Sequence, residues 1–435
     1  MTANITTPRI PSGFNEYLPA DQIEFNRLLD IIRGTYEKYG FTPLDTPVVE
    51  LSEVLLAKGG GETEQQIYRF ERGRNDLSLR FDLTVPLARY VAQHQGELAF
   101  PFRRYQIGKV YRAERAQAGR FREFYQCDID TIGSNSSIID AEFPTIINEI
   151  FQAFNFGEFT IRINNRRLLT GFFAGLGLAD VSSAVLRVID KMEKISQEEF
   201  VQELGTAGCN DEQTAKVLEF VALTGTNDEI LAALKNFGLD DATFAQGYEE
   251  LSGLVMTLRS MKMPESRFQI DLHIARGLDY YTGTVYETKM DDYPELGSVC
   301  SGGRYDDLAG YYTKTELSGV GISIGLTRLY YKLREAGILT PSRQSLANVM
   351  VVPFDASQVG YALEVAATLR GSMPVITYTE SSNLSKKLKY ADKMGVRYVV
   401  LIGEDELAKR VVTLKDMTLG DNEQMPLEDL LARLA

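Results

Sequence analysis

The sequence predicts an α+β domain built on antiparallel strands, interrupted by a helical insertion and followed by an α/β domain. Residues 102–132 are rich in aromatic and β-branched residues around a small-residue turn at 116–119, which indicates two antiparallel strands. Residues 181–263 change to an acidic, Ala/Leu/Glu-rich pattern typical of helices. From residue 348 onwards strand-like and helix-like segments alternate, which is typical of a small α/β domain with a largely parallel sheet.

The elements of the first part follow from hydrophobic spacing and from helix-breaking residues. Apolar residues recur at helical spacing over 21–39, and Gly40 ends that helix. Pro43 and Pro47 predict an extended, edge-like segment over 41–50. Further predicted elements are a strand over 77–83, a helix over 138–154, a strand-rich stretch over 267–303, a strand over 317–325 and a helix over 326–336.

A polar linker that contains a proline, at 340–345, separates the first part from the second. The predicted domains are therefore 1–340, with the insertion at about 181–263, and 346–435. Within the second domain we predict strands over 348–353, 375–379, 397–402 and 411–415, alternating with helices over 357–370, 383–394, 404–409 and 427–434.

The composition of the 435-residue chain is that of a globular protein with ample core, and it argues against several classes of function. The sequence contains no run of 18 apolar residues, so we expect no membrane span, and the N-terminus lacks the features of a secretory signal. The three cysteines are scattered and there are only two histidines. We therefore expect a cytoplasmic protein without a disulfide framework, a zinc site or a Ser-His-Asp triad, and we predict no metal-binding residues.

The net charge of −14 argues at first against a nucleic-acid partner. The acidity is concentrated, however, because residues 171–265 hold 16 acidic and 7 basic side chains. Residues 99–125 hold 7 basic and 2 acidic side chains. A polyanion can therefore bind this basic stretch despite the overall charge.

The segment 275–287 reads Ala-Arg-Gly-Leu-Asp-Tyr-Tyr-Thr-Gly-Thr-Val-Tyr-Glu and ends in a strand-like pattern. It brings Arg276 close in sequence to Asp279 and to the phenols of Tyr280 and Tyr281. A permanently charged guanidinium beside hydroxyl groups and an acid suits a small zwitterion next to a phosphate. An ion pair between Arg276 and Asp279 in an ordinary loop explains the same residues about equally well.

The basic stretch forms a predicted hairpin in which Arg112 and Arg122 lie on strands. Strand-mounted guanidinium groups hold phosphate in a fixed geometry, and Phe124 offers a flat face for a base. A cross-strand ladder of ion pairs among Arg112, Arg122, Glu114 and Glu123 is an equally good interpretation of these residues alone.

Carboxylates lie at the ends of two strand-like runs. Asp82 shares a face with Thr84, a pair that suits an ammonium group, and Asp128 shares a face with Asp130. Helix capping or turn formation is the alternative role for a single aspartate.

Two glycine-containing segments complete the set. Residues 301–307 predict a tight glycine turn into Arg304 and Tyr305, either against a ligand or as a plain hairpin turn. In the second, Gly321 and Gly325 lie on a strand that leads to Arg328 in a first helical turn, which suits a polyphosphate.

Together these segments resemble the class II aminoacyl-tRNA synthetases, and among them the histidyl-tRNA synthetase family. Pro47 after the long helix is similar to the first motif of the class, its dimer element. The second and third motifs correspond to 111–124 and 321–328, and the two histidine-specific signatures to Arg-Gly-Leu-Asp-Tyr-Tyr from Arg276 and Ser-Gly-Gly-Arg-Tyr-Asp from Ser301. Segments 388–395 and 401–407 resemble the family's anticodon-binding domain.

The resemblance implies an enzyme that converts histidine and ATP to histidyl-adenylate and transfers histidine to the 3′ end of tRNA(His). It implies a homodimer, and Mg²⁺ at the β- and γ-phosphates. In catalysis, Arg276 is expected to bridge the histidine carboxylate and the α-phosphate, and Arg112 to bind that phosphate. The residues it implies are Asp82, Leu83, Thr84, Arg112, Gln126, Asp130, Arg276, Tyr280, Tyr281 and Tyr305 for histidine, Arg112, Glu114, Phe124 and Arg328 for ATP, and Arg115 and Gln117 for the tRNA acceptor end.

The chain departs from the family pattern at Thr327, where the third motif usually carries glutamate before its arginine. A competing interpretation is the non-catalytic regulatory subunit of ATP phosphoribosyltransferase, which resembles the same core. That paralogue typically lacks the anticodon-binding domain, whereas here both Arg112 and Arg276 and the second domain are present. We therefore favour the enzyme.

Overall fold

The computed structural model describes residues 6–57, 62–115, 119–189, 191–192, 195–274, 281–307, 309–341 and 343–434. They form two compact units. The first contains residues 30–339 and the N-terminal residues up to 15, and the second contains residues 16–29 and 340–434. The boundary at residue 29 falls inside the first helix, α1 (Pro19–Lys38).

An eight-stranded sheet is the centre of the first unit. Its strands, numbered with all others in chain order, are β1 (Thr42–Pro43), β5 (Phe102–Tyr111), β6 (Glu123–Ile132), β7 (Phe159–Asn165), β8 (Phe268–Ile270), β9 (Thr284–Met290), β10 (Ser298–Tyr305) and β11 (Gly319–Ile324). Their order is β1-β5-β6-β11-β10-β9-β7-β8. Every pairing is antiparallel except those of the outer strands β1 with β5 and β8 with β7, so the predicted α+β class is confirmed.

Helices cover one face of this sheet and leave the other face for the site. On the covered face, Tyr36 of α1 donates to the Cys127 carbonyl at 2.9 Å. From α5 (Ser137–Phe154), the Asp140 carbonyl accepts from Tyr286 at 2.7 Å. The other helices and strands of this unit are α2 (Ser52–Leu55), α3 (Glu62–Gln66), α4 (Thr84–His94), α12 (Leu326–Glu335) and a small sheet of β2 (Val49–Leu51), β3 (Arg69–Arg72) and β4 (Asn75–Leu79) in the order β2-β4-β3.

Among the described residues between β7 and β8, all regular elements are helices. The α-helices are α6 (Arg166–Gly175), α7 (Ser182–Ile189), α8 (Gln197–Thr206), α9 (Asp211–Val221), α10 (Asn227–Lys235) and α11 (Ala242–Ser260). Side chains of Asn210, Thr226 and Asp241 accept hydrogen bonds from first-turn N–H groups and so fix where three of these helices begin.

The second unit carries a five-stranded sheet in the order β13-β12-β14-β15-β16. Two of its pairings are parallel and two are antiparallel, so the prediction of a largely parallel sheet is wrong. The strand missing from that prediction is β16, whose Asn-Glu-Gln-Met-Pro sequence has one buried residue. The elements are β12 (Val349–Pro353), α13 (Val359–Arg370), β13 (Val375–Thr377), α14 (Leu384–Lys393), β14 (Tyr398–Ile402), α15 (Glu404–Lys409), β15 (Val411–Asp416), β16 (Asn422–Pro426) and α16 (Leu427–Leu434).

Candidate active site

A cavity of about 350 Å³ opens on the uncovered face of the large sheet. Its walls come from the ends of β5, β6, β10 and β11 and from the start of α12. Five predicted ATP or histidine residues line it together, namely Arg112, Glu114, Phe124, Gln126 and Arg328. Segments more than 200 residues apart in sequence therefore meet at one site.

Arg112 follows the last residue of β5 and is held in place from two sides. Its Nε donates to the Phe81 carbonyl at 3.1 Å, and its guanidinium carbon lies 5.2 Å from the centre of the Phe124 ring. These contacts restrict the side chain before any ligand binds, which lowers the entropy cost of gripping an anion.

The alternative ladder of ion pairs does not form among the described residues of this hairpin. Arg122 donates to the carbonyls of Glu114 and Ser12, at 3.0 and 3.2 Å, instead of to a carboxylate. Glu123 pairs with Lys109, and the Glu114 carboxylate lies 3.8 Å from Arg120. Both arginines lie just outside the strands on which they were predicted.

The start of α12 supplies the far wall of the cavity. Arg328 lies in the first helical turn, as predicted, and is exposed, while Lys332 lies one turn later and also lines the cavity. Thr327 is buried, and its hydroxyl accepts from the Tyr125 N–H at 2.8 Å. The residue that departs from the family pattern therefore ties α12 to β6 and does not line the cavity.

Deeper in the same face lies a group that we call the carboxylate cluster, formed by Asp128, Asp130 and Arg104. Asp130 pairs in register with Arg104 on β5 and with Gly321 on β11. Its Oδ2 lies 2.7 Å from Nη2 of Arg104, and its Oδ1 accepts from the Tyr305 hydroxyl at 2.8 Å.

Two glycines make room for this arrangement. A Cβ on Gly321 would collide with the Asp130 carboxylate, and one on Gly303 would lie 2.8 Å from the Tyr281 ring. Residues 302 and 303 lie inside β10 and pair with β9 and β11, so the glycine turn predicted for 301–307 is wrong. The glycines act through close approach within a sheet and not through a turn.

Burial controls the electrostatics of the carboxylate cluster. It raises the pKa of Asp128 to about 7 and raises the pKa of Asp130, although Arg104 lowers both. Arg104 is fully buried, and among the described residues its N–H groups make no hydrogen bond of good geometry. The contact between Arg104 and Asp130 is therefore an ion pair in which the N–H groups do not point at the carboxylate oxygens well enough to form hydrogen bonds.

Asp82 lies between β4 and α4 and is half-buried. Its Oδ1 accepts from the Val85 N–H at 3.0 Å, which is the capping role that was one of its two interpretations. Burial raises the pKa of Asp82, while that N–H and Arg112 act in the opposite direction. Leu83 is fully buried, and Thr84 is the first residue of α4.

Five predicted site residues remain, and not all of them are described. Arg276, Tyr280 and Gln117 are outside the described residues, as is Asp279. Arg115 is exposed beside the hairpin. Tyr281 precedes β9, and its pKa is raised by burial and further by the carboxylates of Asp130 and Asp128.

Sequence reasoning missed Arg104 as a member of the site and did not assign Asp128 a role. Period-two spacing already put Asp128 on the same face as Asp130, and Arg104 is an even number of residues before Arg112, which directly follows β5. The register that brings Arg104 opposite Asp130 is a property of the folded sheet and could not be obtained from spacing alone.

Within the described residues no helix is long and apolar enough to cross a membrane. The same residues contain no group of three or more His, Cys, Asp or Glu side chains placed to hold a metal ion.

An antiparallel sheet that carries fixed arginines and a buried carboxylate pair, joined to a smaller α/β unit, is the architecture of class II aminoacyl-tRNA synthetases. The family model for histidyl-tRNA synthetase matches residues 13–329, and the model for an anticodon-binding domain matches residues 348–435. The chain belongs to the histidyl-tRNA synthetase family.

Known proteins match this chain over almost its whole length. A histidine–tRNA ligase from Clostridium tetani is 53% identical over 435 residues, covering 99% of both chains. The crystal structure of histidyl-tRNA synthetase from Nostoc sp. PCC 7120 matches with a TM-score of 0.93 and 43% identity, covering 99% of this chain and 100% of that one. A Bacillus halodurans structure described as an ATP phosphoribosyltransferase regulatory subunit/histidyl-tRNA synthetase has a TM-score of 0.77 at 18% identity, covers 92% of this chain and 99% of that one, and shares the fold.

Proposed function

We propose that this chain is a histidine–tRNA ligase. It forms histidyl-adenylate from histidine and ATP with release of pyrophosphate, and then transfers histidine to the 3′ end of tRNA(His). The observation that carries the proposal is the 350 Å³ cavity lined by Arg112 and Arg328. It adjoins, on the same sheet face, a carboxylate cluster suited to an imidazole.

The amino acid is proposed to bind over the carboxylate cluster. Asp82 and Thr84 hold the α-amino group, with Leu83 between them also in the histidine site. Asp130 and Tyr281 contact the imidazole, with Gln126, Tyr280 and Tyr305 beside them. A pocket that hydrogen-bonds a polar ring rejects apolar amino acids by roughly 10⁴-fold, because its buried polar groups would otherwise lose their partners.

ATP is proposed to bind in the cavity. Arg112 meets the α-phosphate, Arg328 the γ-phosphate, and Phe124 stacks the adenine, whose amino group Glu114 contacts. Arg276 bridges the histidine carboxylate and the α-phosphate. Attack of the carboxylate on the α-phosphorus concentrates negative charge there, and these two guanidinium groups stabilise that charge more than they stabilise the ground state.

Mg²⁺ remains part of the proposal as an ion that arrives with ATP. Of the described residues lining the cavity, Glu114 is the one with a carboxylate, which agrees with Mg²⁺ held mainly by phosphates and water. When bound, the ion would neutralise charge on the β- and γ-phosphates.

The tRNA is proposed to contact both domains, which we place at 1–340, with an insertion at about 181–263, and at 346–435. Arg115 and Gln117 approach the acceptor end, and the second domain reads the anticodon. Charging of full-length tRNA(His) should therefore exceed charging of an acceptor-stem minihelix when the two are compared at equal concentrations. Equal rates would contradict anticodon contact.

A homodimer that acts in the cytoplasm, where tRNA is charged for translation, is the proposed assembly. The exposed apolar side chains of Val48, Val49 and Leu51 lie at the edge strand β2, directly after Pro47 of the first motif. Light scattering should give twice the chain mass for the wild type, and Val49→Asp should lower it. A wild-type monomer would contradict the dimer.

The deciding experiment is ATP–pyrophosphate exchange measured with each of the twenty amino acids. We expect exchange with histidine alone. Exchange with another amino acid would overturn the proposed specificity. No exchange at all would favour the regulatory-subunit interpretation.

A further inference from the structure

Asp128 has no assigned role, yet it lies inside the proposed histidine site. It is only 3% exposed and projects from β6 on the same face as Asp130 and Gln126. Its strand neighbours in register are Gln106 on β5 and Ser323 on β11. Ser323 also lines the 350 Å³ cavity.

The carboxylate oxygens of Asp130 and Asp128 differ in how many partners the protein already gives them. Asp130 has Tyr305 on one oxygen at 2.8 Å and Arg104 by the other at 2.7 Å. Asp128 has a hydrogen bond to Ser323, but its Oδ1 is buried without a partner among the described residues. An unpaired buried carboxylate oxygen is costly, and a ligand N–H that fills it recovers that cost.

We propose that Asp128 is a further specificity-determining residue, whose Oδ1 accepts a hydrogen bond from a ring N–H of the bound histidine. The proposal rests on the function proposed above. The imidazole would then meet two carboxylates, one fixed by Tyr305 and Arg104 and one open to the ligand. The phenol of Tyr281 interacts electrostatically with both acids and so lies near them.

Charge balance favours a ligand that brings N–H groups to this place. Three acids, Asp82, Asp128 and Asp130, interact with the buried Arg104, and Asp82 also interacts with Arg112, so three carboxylates face two cations. A substrate with an α-ammonium group and a ring N–H supplies the missing donors and positive charge. An apolar side chain of similar size supplies neither at the ring position.

The test is the Michaelis constant for histidine in ATP–pyrophosphate exchange with the full chain. Asp128→Asn keeps the shape and removes the charge, and Asp128→Ala removes the acceptor. Losing a hydrogen bond to a charged group should raise KM for histidine by about 10- to 100-fold, more in Asp128→Ala than in Asp128→Asn. KM for ATP should change less than about threefold.

Two controls separate binding from folding. Thr131→Val changes a residue three positions further along β6, which is also buried but faces the opposite side, and it should leave both KM values unchanged. Binding of β-(2-thienyl)-alanine, whose ring has no N–H, should be equally weak in the wild type and in Asp128→Asn by calorimetry.

The outcomes distinguish this inference from the proposed function. A wild type without histidine-dependent exchange would overturn both. A wild type that is active, with an unchanged KM for histidine in both Asp128 variants, would overturn the role of Asp128 alone. Equal increases in the two KM values would show a structural role and would also overturn it.

Discussion

The carboxylate cluster and the ATP-side cavity occupy one face of the same sheet but handle charge in opposite ways. In the cluster, Arg104 is fully buried and two acids have pKa values raised by burial. In the cavity, Arg112 is partly exposed, Arg328 is exposed, and Arg112 rests on an aromatic ring and a backbone carbonyl.

The difference follows from what each region has to do. Discrimination between amino acids depends on polar groups of the pocket that are shielded from water, because water cannot then replace a hydrogen-bond partner that the wrong amino acid lacks. A triphosphate has to enter, and pyrophosphate has to leave, so its cations benefit from staying hydrated and only partly fixed. Changes in the cluster should therefore affect stability as well as substrate choice, whereas changes in the cavity should affect nucleotide binding and rate.

The largest expected effect is on Arg104. Arg104→Met leaves Asp130 buried without its cation, which should lower the free energy of unfolding by about 3–5 kcal/mol. Adding Asp130→Asn in the same chain should recover part of that loss, because the uncompensated charge is gone. Urea unfolding of the wild type and both variants tests this. An unchanged midpoint for Arg104→Met would show that water reaches the cluster and solvates the charge of Asp130.

Arg276 is expected to matter for rate and not for stability. Removing one fixed donor at the α-phosphate costs about 3 kcal/mol of barrier, or about 100-fold in adenylate formation, with less effect on transfer from preformed adenylate. Arg276→Lys should recover only part, since an ammonium lacks the planar fork. Single-turnover rates of adenylate formation and of transfer, measured for each variant, test this prediction, and circular dichroism shows whether the variants fold. A near-wild-type rate for Arg276→Ala would indicate the ion pair with Asp279 instead.

Asp128 should destabilise the empty protein in a way that depends on pH. Its pKa rises from 3.8 to about 7 on folding, because burial outweighs Arg104 and Ser323 and because Asp130 and Asp82 repel its charge. Between about pH 4 and 7 the native state therefore holds a proton that the unfolded chain has already lost, so the stability falls as the pH rises through this window.

Asp128→Asn should consequently be close to the wild type in stability near pH 4 and exceed it by about 4 kcal/mol above pH 7. Thermal unfolding across this range measures the difference. The same difference at every pH would show that Asp128 does not titrate in this window.

The smallest effect is expected at Arg328, the exposed cation on the α12 wall of the cavity. Arg328→Ala should raise KM for ATP by about tenfold at low salt, and by less at high salt, because an exposed cation is screened. The free energy of unfolding should stay within about 0.5 kcal/mol of the wild type. A salt-independent loss would place Arg328 in a dry environment and weaken the comparison.

Sequence reasoning predicted the parts of this molecule that have local causes. Periodicity and Gly40 gave α1 to within about two residues at each end, and the βα alternation gave most of the second unit. It failed where the cause is a partner strand, as for β16 and for the glycines of β10. It also missed Arg104, since nothing in its own segment shows that it will lie opposite Asp130.

The strand order has a consequence for how the protein is made. Asp130 pairs with Gly321, so the floor beneath the carboxylate cluster joins residues that leave the ribosome far apart in time. At about 5–20 residues per second, roughly 10–40 s separate the synthesis of β6 from that of β11. The helices between these strands are synthesised during that interval. Throughout it, the edge of β6 that will pair with β11 lacks its partner, and the acidic side chains that later become buried remain exposed to water.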